Sequence, residues 1–328
     1  MKFFRDLDTV LRLTGGYFFK KKYPISVTFI TTYRCNFRCH YCGTWQQQAD
    51  ELSTGEVFKM IDELTSLGLR RLGLNGGEPL LRGDIGEIIS YAKDQGLAVT
   101  LFTNGWLVKE NIEKLKKLDV LLISFDGPAQ VQDLQRQSGS YNKVIEAVKS
   151  AQDAHIKVWT NTVISKHNVD HIDFILGTAD GYGFKTSFQP VYFYAHSSPQ
   201  DQIHQIMPPR KDYIAAVDKI IDAKTRGGPV VHTKRYLEYI KQPDWPANKR
   251  RCWAGRFYFA ITPDGRVAPC YPVFASGNWP SGRNMGYELA CNSIGSFSCG
   301  GCFCILAEND FFFSLKPDVV LNTINQVG

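Results

Sequence analysis

The chain has 328 residues, 44% of them apolar, a formal charge of +6 and nine cysteines. That suits a soluble protein with one large domain and a smaller module. No apolar run approaches the roughly 18 residues of a membrane span, and Arg5, Asp6 and Asp8 near the start argue against a secretory signal. Nine cysteines without an export signal point to metal ligation in a reducing, cytoplasmic setting rather than to disulfides. The basic clusters Lys20-Lys21-Lys22 and Lys249-Arg250-Arg251 are short and read as solvated surface, so no nucleic-acid partner is expected.

Phe3, Phe4, Leu7, Val10 and Leu11 recur at roughly helical spacing within residues 1–24, before Gly15-Gly16, Tyr17-Phe18-Phe19 and three lysines. The preferred reading is an extension whose helix packs outside the main fold and breaks at the glycine pair. The alternative is an interfacial helix making peripheral membrane contact near a lipid substrate. From residue 25 strand and helix alternate. A β-branched strand over 25–30 delivers a cysteine loop. Ser53 and Glu56 form a capping box for a helix ending near Gly68. A strand over 70–75 runs into Gly76-Gly77-Glu78-Pro79, and a helix covers 84–95. The strand over 97–103 ends in Thr103-Asn104-Gly105 and is followed by a helix over 109–118. The strand over 120–125 ends in Asp126-Gly127-Pro128. A helix over 141–154, a strand over 157–165, a helix over 169–182 and a strand over 186–192 complete the series.

These units, assigned to 25–193, predict an α/β fold with a parallel sheet covered by helices. They are too few for a closed eight-stranded barrel, and periodicity alone leaves a partial barrel and a doubly wound sheet both open. Residues 194–251 carry Pro199, Pro208-Pro209, Pro243 and Pro246, with helical patterns near 211–224 and 234–240, and read as a bridge. Residues 252–328 read as a small cysteine-bearing module. It opens with a hairpin over 257–270 that turns at Asp264-Gly265.

The chemistry concentrates in Cys35-x3-Cys39-x2-Cys42, with Tyr41 before the last cysteine. Three thiolates can hold three corners of a [4Fe–4S] cube and leave one iron open. Zinc prefers four ligands in two close pairs. His40 is the available fourth, but a tetrahedron would be strained there. Gly76-Gly77-Glu78-Pro79 lies one βα unit later, and its glycines allow close backbone approach to a ligand. Ser124-Phe125-Asp126-Gly127-Pro128 is followed by Asp133, Arg136 and Gly139.

Together these stretches resemble the radical S-adenosylmethionine (radical SAM) enzymes. The resemblance implies an open (β/α)6 partial TIM barrel, with a [4Fe–4S] cluster on Cys35, Cys39 and Cys42 beside Tyr41. SAM would chelate the open iron, and reductive cleavage would yield a 5′-deoxyadenosyl radical that abstracts hydrogen from an unactivated C–H bond. It also implies that Gly76, Gly77, Glu78 and Pro79 meet the SAM amino group. Ser124 and Arg136 would hold its carboxylate, a group suited to a guanidinium fork. Gln132 stands where relatives often have His. Asn161 is a further cofactor-facing candidate.

Cys252, Cys270 and Cys299-x2-Cys302 are similar to the SPASM/twitch-type extensions of this superfamily. That similarity implies one auxiliary [4Fe–4S] cluster that oxidises the substrate radical, as an oxidoreductase would, with Cys291 and Cys304 as substitute ligands. A zinc site on the same pairs is the alternative. The substrate is open between a peptide, a sugar-like molecule and a lipid. Only 34 residues precede Cys35, too few for a fused leader-peptide domain, which lowers the peptide option. A low-potential donor such as flavodoxin or ferredoxin is expected. No catalytic base is assigned; Asp126 is a candidate by position, against a turn-forming role. The reading from a different class is an iron–sulfur electron carrier or scaffold without SAM chemistry.

Overall fold

The computed structural model describes residues 2–191, 204–242, 252–275, 277–295 and 306–327. Its strands are β1 Ser26–Ile30, β2 Arg71–Asn75, β3 Ala98–Thr103, β4 Val120–Ser124, β5 Val158–Ile164 and β6 Lys185–Pro190. Each pairs in parallel with the next. The order never reverses, so the sheet winds like a barrel and lacks the switch point of a doubly wound sheet.

Two further strands, β7 Tyr258–Ile261 and β8 Val267–Ala268, form the expected hairpin. β7 pairs in parallel with β1, Ser26 standing opposite Tyr258, so the hairpin continues the barrel's sheet. β6 and β8 end the order unpaired with each other, and the barrel stays open.

The two faces of the sheet differ. Val27, Leu72, Leu74, Val99, Leu101, Leu121 and Ile123 are buried under Val57, Ile61 and Leu64 of the helix Thr54–Ser66, Ile88 and Ile89 of Ile85–Asp94, and Val144 and Val148 of Ser140–Asp153. Each contributes roughly 1.5–3 kcal/mol by leaving water. The alternate residues Ser26, Thr28, Arg71, Gly73, Thr100, Phe102, Trp159 and Asn161 remain partly accessible. A closed (β/α)8 barrel fills its interior with side chains. Here stability comes from the outer face, and the inner face lines a chamber of about 320 Å3.

Local departures from expectation have physical causes. The first helix, Lys2–Phe18, runs unbroken through Gly15-Gly16. A Cβ on Gly16 would stand 2.2 Å from the Phe257 ring, so the glycines let the helix seat on the hairpin rather than end it. Tyr17 then packs edge-on against Trp253 and Phe257. The helix therefore lies against the fold. The expected helix over 109–118 shrinks to the 3-10 turn Lys109–Asn111 and the turn Ile112–Leu115. An unexpected short helix, Ala129–Gln135, follows Pro128, which stands at its N-cap in an extended conformation. Helices Arg210–Thr225 and Lys234–Lys241 match the patterns read in the bridge.

The helices Leu306–Phe313 and Pro317–Val327 close the chamber's floor with Asn309, Phe312 and Asn322. Glu308 fastens them. It accepts from His232 Nδ1 at 2.8 Å and from the Thr233 N–H at 2.6 Å. His232 Nε2 in turn accepts the Phe188 N–H, which fixes a neutral ring with its proton on Nδ1. Among the described residues no helix is long and apolar enough to cross a membrane.

Candidate functional site

The motif residues gather where the first strands end at their C-terminal edge, the ligand-binding rim of parallel α/β sheets. β1 leads through buried Thr31 and Thr32 into the cysteine loop. The loop is tied by its own groups. The Cys42 N–H donates to Cys39 O at 3.1 Å. Arg38 donates to the carbonyls of Cys35 and Phe37 and lies 4.4 Å over the Trp45 ring. The Phe37 N–H donates to Cys35 Sγ at 3.4 Å.

Burial pushes the Cys35 thiol up to about 11 and the Cys39 thiol up to about 12, and neighbouring thiols add to both shifts. The protein alone therefore keeps these two thiols protonated at neutral pH, and metal binding must release their protons. Among the described residues no trio of His, Cys, Asp or Glu converges as if on a single ion. A cube places its thiolates on separate irons, and a loop with three cysteines supplies three of them. His40 is exposed.

Gly76 and Gly77 make a close approach to the protein's own backbone. A Cβ on Gly76 would stand 2.4 Å from Thr32 O, and one on Gly77 2.2 Å from Arg34 O. The N–H groups of Gly77 and Glu78 donate to Thr32 O and Arg34 O at 2.8 and 2.9 Å. The segment thus clamps the entrance of the cysteine loop. Pro79 opens a buried turn, Pro79–Leu81.

Glu78 is fully buried. Its Oε1 accepts from Thr103 Oγ1 at 2.8 Å and from the Leu80 N–H at 3.1 Å, and its Oε2 accepts from the Asn104 N–H at 2.8 Å. Burial pushes its carboxyl up to about 7 against the pull of these donors. Asn104 Nδ2 donates to Asn36 Oδ1 at 2.8 Å, so β2, β3 and the cysteine loop are riveted together. The sequence reading missed this rivet. Its one signal was a pair of amide side chains inside two separate motifs.

Tyr41, Asp126 and Arg136 form a trio next to Cys39, with Asp126 buried at its centre and the other two half-buried around it. Asp126 Oδ2 accepts from Arg136 Nε at 2.7 Å and from the Tyr41 hydroxyl at 3.1 Å, and Oδ1 accepts from the Val163 N–H at 3.0 Å. Burial alone would lower the Arg136 guanidinium, but the Asp126 carboxylate outweighs it and holds the group charged. Burial also raises Tyr41 well above the usual tyrosine range. Arg136 is thus no surface salt bridge; its side chain is 7% exposed. Its terminal nitrogens make no hydrogen bond among the described residues.

Asp126 is committed to three donors and serves as an anchor here. Gln132 staples the end of β4: its Oε1 accepts the Asp126 N–H and its Nε2 donates to Ser124 O. Asp133 accepts from the N–H groups of Gly139 and Tyr141 at the start of the next helix. Asn161 stands opposite Ser124 in the sheet and accepts from Ser187 Oγ.

Of the remaining cysteines, Cys252 is exposed, with Sγ 3.6 Å from the Tyr258 hydroxyl. Cys270 is buried in an apolar cluster with Trp253, Phe257, Tyr258 and Phe313. Cys291, on the helix Tyr287–Ser293, is packed in the main core, where burial pushes its thiol up to about 12. Cys299, Cys302 and Cys304 lie outside the described residues. An aromatic run links the two cysteine regions. Tyr33, just before the first loop, stacks on Phe274 at 5.8 Å, and Phe274 lies 5.3 Å from Tyr271, which follows Cys270.

Residues 29–177 match the Radical SAM superfamily. The chain is 26% identical over 262 residues to the PqqA peptide cyclase of Granulibacter bethesdensis, covering 76% of this chain and 68% of that protein. It is 29% identical over 278 residues to the AdoMet-dependent heme synthase of Methanosarcina barkeri, covering 77% and 78%. It is 28% identical over 317 residues to the mycofactocin maturase MftC of Mycobacterium ulcerans, covering 85% and 83%. Its fold is that of Streptococcus suis SuiB bound to S-adenosylmethionine (TM-score 0.67, 14% identity), with 81% of this chain covering 65% of that one, just under two thirds. It is also that of anSMEcpe with bound AdoMet (TM-score 0.64, 17% identity, 81% and 80% covered).

Proposed function

We propose that this chain, which belongs to the radical SAM superfamily and is a radical SAM enzyme, modifies a peptide by removing hydrogen from an unactivated C–H bond and then oxidising the substrate radical. When bound, a cluster on Cys35, Cys39 and Cys42 with SAM supplies the radical, and an auxiliary cluster on Cys252, Cys270, Cys299 and Cys302 supplies the electron acceptor. The chain's own residues do the rest. Gly76 and Gly77 hold the loop's entrance in place. Asp126 orients Arg136 so that its terminal nitrogens stay free for the SAM carboxylate. Ser124 stands on the same rim, and the Tyr41 ring packs beneath the guanidinium.

The single observation carrying this reading is the Arg136–Asp126–Tyr41 trio beside Cys39, built on the buried Asp126: a charged fork with unused donors next to a three-thiol loop. A scaffold without SAM chemistry has no need of it. The hairpin's pairing with β1 supports a two-centre arrangement, because it ties the second cysteine pair to the strand that delivers the first. The name of the PqqA peptide cyclase favours a peptide over a sugar or lipid. A flavodoxin or ferredoxin would provide the low-potential electron.

The test is iron stoichiometry with SAM turnover. The parent should load about eight irons per chain, and Cys270→Ala about four. Both should still make 5′-deoxyadenosine, and peptide oxidation should vanish in Cys270→Ala alone. Equal iron loading in the two proteins would remove the auxiliary site from the account.

A further inference from the structure

The chamber inside the barrel lies on the inner faces of β1–β5, below the cysteine rim. Its walls include Thr28, Thr100, Phe102, Leu122 and Trp159. Its floor carries a charge that its surroundings do not neutralise. Arg71, at the start of β2, donates to Asn309 Oδ1 at 3.1 Å and stands 5.4 Å and 5.9 Å from the rings of Phe312 and Phe313. No carboxylate among the described residues pairs with it.

Burial pulls the guanidinium down to about 10, which leaves it charged at neutral pH. The carboxylates in the chamber lining are already taken. Glu308 is held by His232 and Thr233, and Asp119 by Lys93 and the Val99 N–H. A half-buried cation without a counter-ion gains from a carboxylate partner, and a guanidinium fork matches a carboxylate in shape as well as charge.

We propose that Arg71 binds the carboxylate of an apolar acid whose body lies in the chamber against Phe102 and Trp159. The acid is either the terminal carboxylate of a peptide or a free small molecule. The peptide case rests on the function proposed above. Its reach fits, since Arg71 to Asn75 spans roughly 13 Å of strand, the depth from floor to rim.

The test is anaerobic equilibrium dialysis of the iron–sulfur-loaded full chain with 4-phenylbutyrate and acetyl-Gly-Phe, each against its primary amide. At least one acid should bind about tenfold or more tightly than its amide, and Arg71→Gln should erase that preference. Gly73→Leu keeps Arg71 but fills the chamber, because a Cβ there makes only ordinary contacts, with the Phe102 ring at 3.4 Å and with Thr28 Oγ1 and Val27 O at 3.8 Å. It should abolish binding of acid and amide alike. Preference for acetyl-Gly-Phe identifies a peptide terminus, and preference for 4-phenylbutyrate alone a small-molecule acid.

Equal binding of acids and amides overturns the proposal, as does a preference that survives Arg71→Gln. Should Arg71→Gln fail to fold, the acid-to-amide ratio of the parent and the Gly73→Leu result decide. The readout is binding without turnover, so a failure here is separable from a failure of the radical chemistry.

Discussion

Gly77→Ala is a one-methyl perturbation that should disable the site from outside it. Gly77 does not have a left-handed φ, so alanine is permitted by its dihedrals and the cost is collision alone. The added Cβ would stand 2.2 Å from Arg34 O and 2.6 Å from Tyr33 O, both rigid backbone. That is about 1 Å short of ordinary contact, and the two segments must part by that much. Parting them stretches the bonds from Gly77 and Glu78 to Thr32 O and Arg34 O. Two backbone bonds at ~1 kcal/mol each and overpacking of about 1–3 kcal/mol give a loss of about 3–5 kcal/mol. Urea unfolding of the iron-free chain should show the midpoint lowered by roughly 1 M. Iron loading at the first site should fall with it, because the displaced residues lead directly into Cys35. An unchanged midpoint with full iron loading would refute the argument that Gly77 clamps the loop.

Asp126→Asn should destabilise the fold by about 3–5 kcal/mol, because it leaves the Arg136 charge buried without its partner. Arg136→Met added to it should recover part of the loss, as a double-mutant cycle in urea would show. Glu56, in the capping box with Ser53 and against Arg283, has its carboxyl held down to about 2, first by the Ser53 backbone and side-chain bonds and then by Arg283. Its folded pKa lies below the ordinary 4.5, so its stabilisation is present above that value and lost as pH falls toward about 2. The stability gap between parent and Glu56→Gln should therefore be full at pH 7 and narrow steadily below pH 4.5.

Much of the barrel was legible because its signals are local. Alternation of Leu72, Leu74, Val99 and Leu101 with partly accessible neighbours marks strands, and Ser53 with Glu56 marks a helix start. The cysteine loop was legible because ligand spacing is itself a sequence property. Pairing across long separations was not. Nothing in residues 258–261 says that they lie beside β1, since any apolar strand could fill that edge. Gly15-Gly16 read as a break because a glycine's freedom is visible in sequence, while the Phe257 ring that requires its small size is far away in the chain. At Gly76 and Gly77 the backbone of residues 31–34 passes too close for a Cβ, a contact between distant segments that the sequence does not display. Glu78 and Arg71 carry roles set by which groups surround them in space, and periodicity is silent on that.

The central claim, that a three-cysteine loop on this rim supports reductive cleavage of SAM, is tested most directly by one anaerobic assay. The chain is reconstituted with iron and sulfide, given SAM and dithionite, and assayed for 5′-deoxyadenosine beside Cys35→Ala. The account predicts formation by the parent and none by the variant. Equal formation by both, or none by a fully loaded parent that also fails to bind SAM, would contradict it.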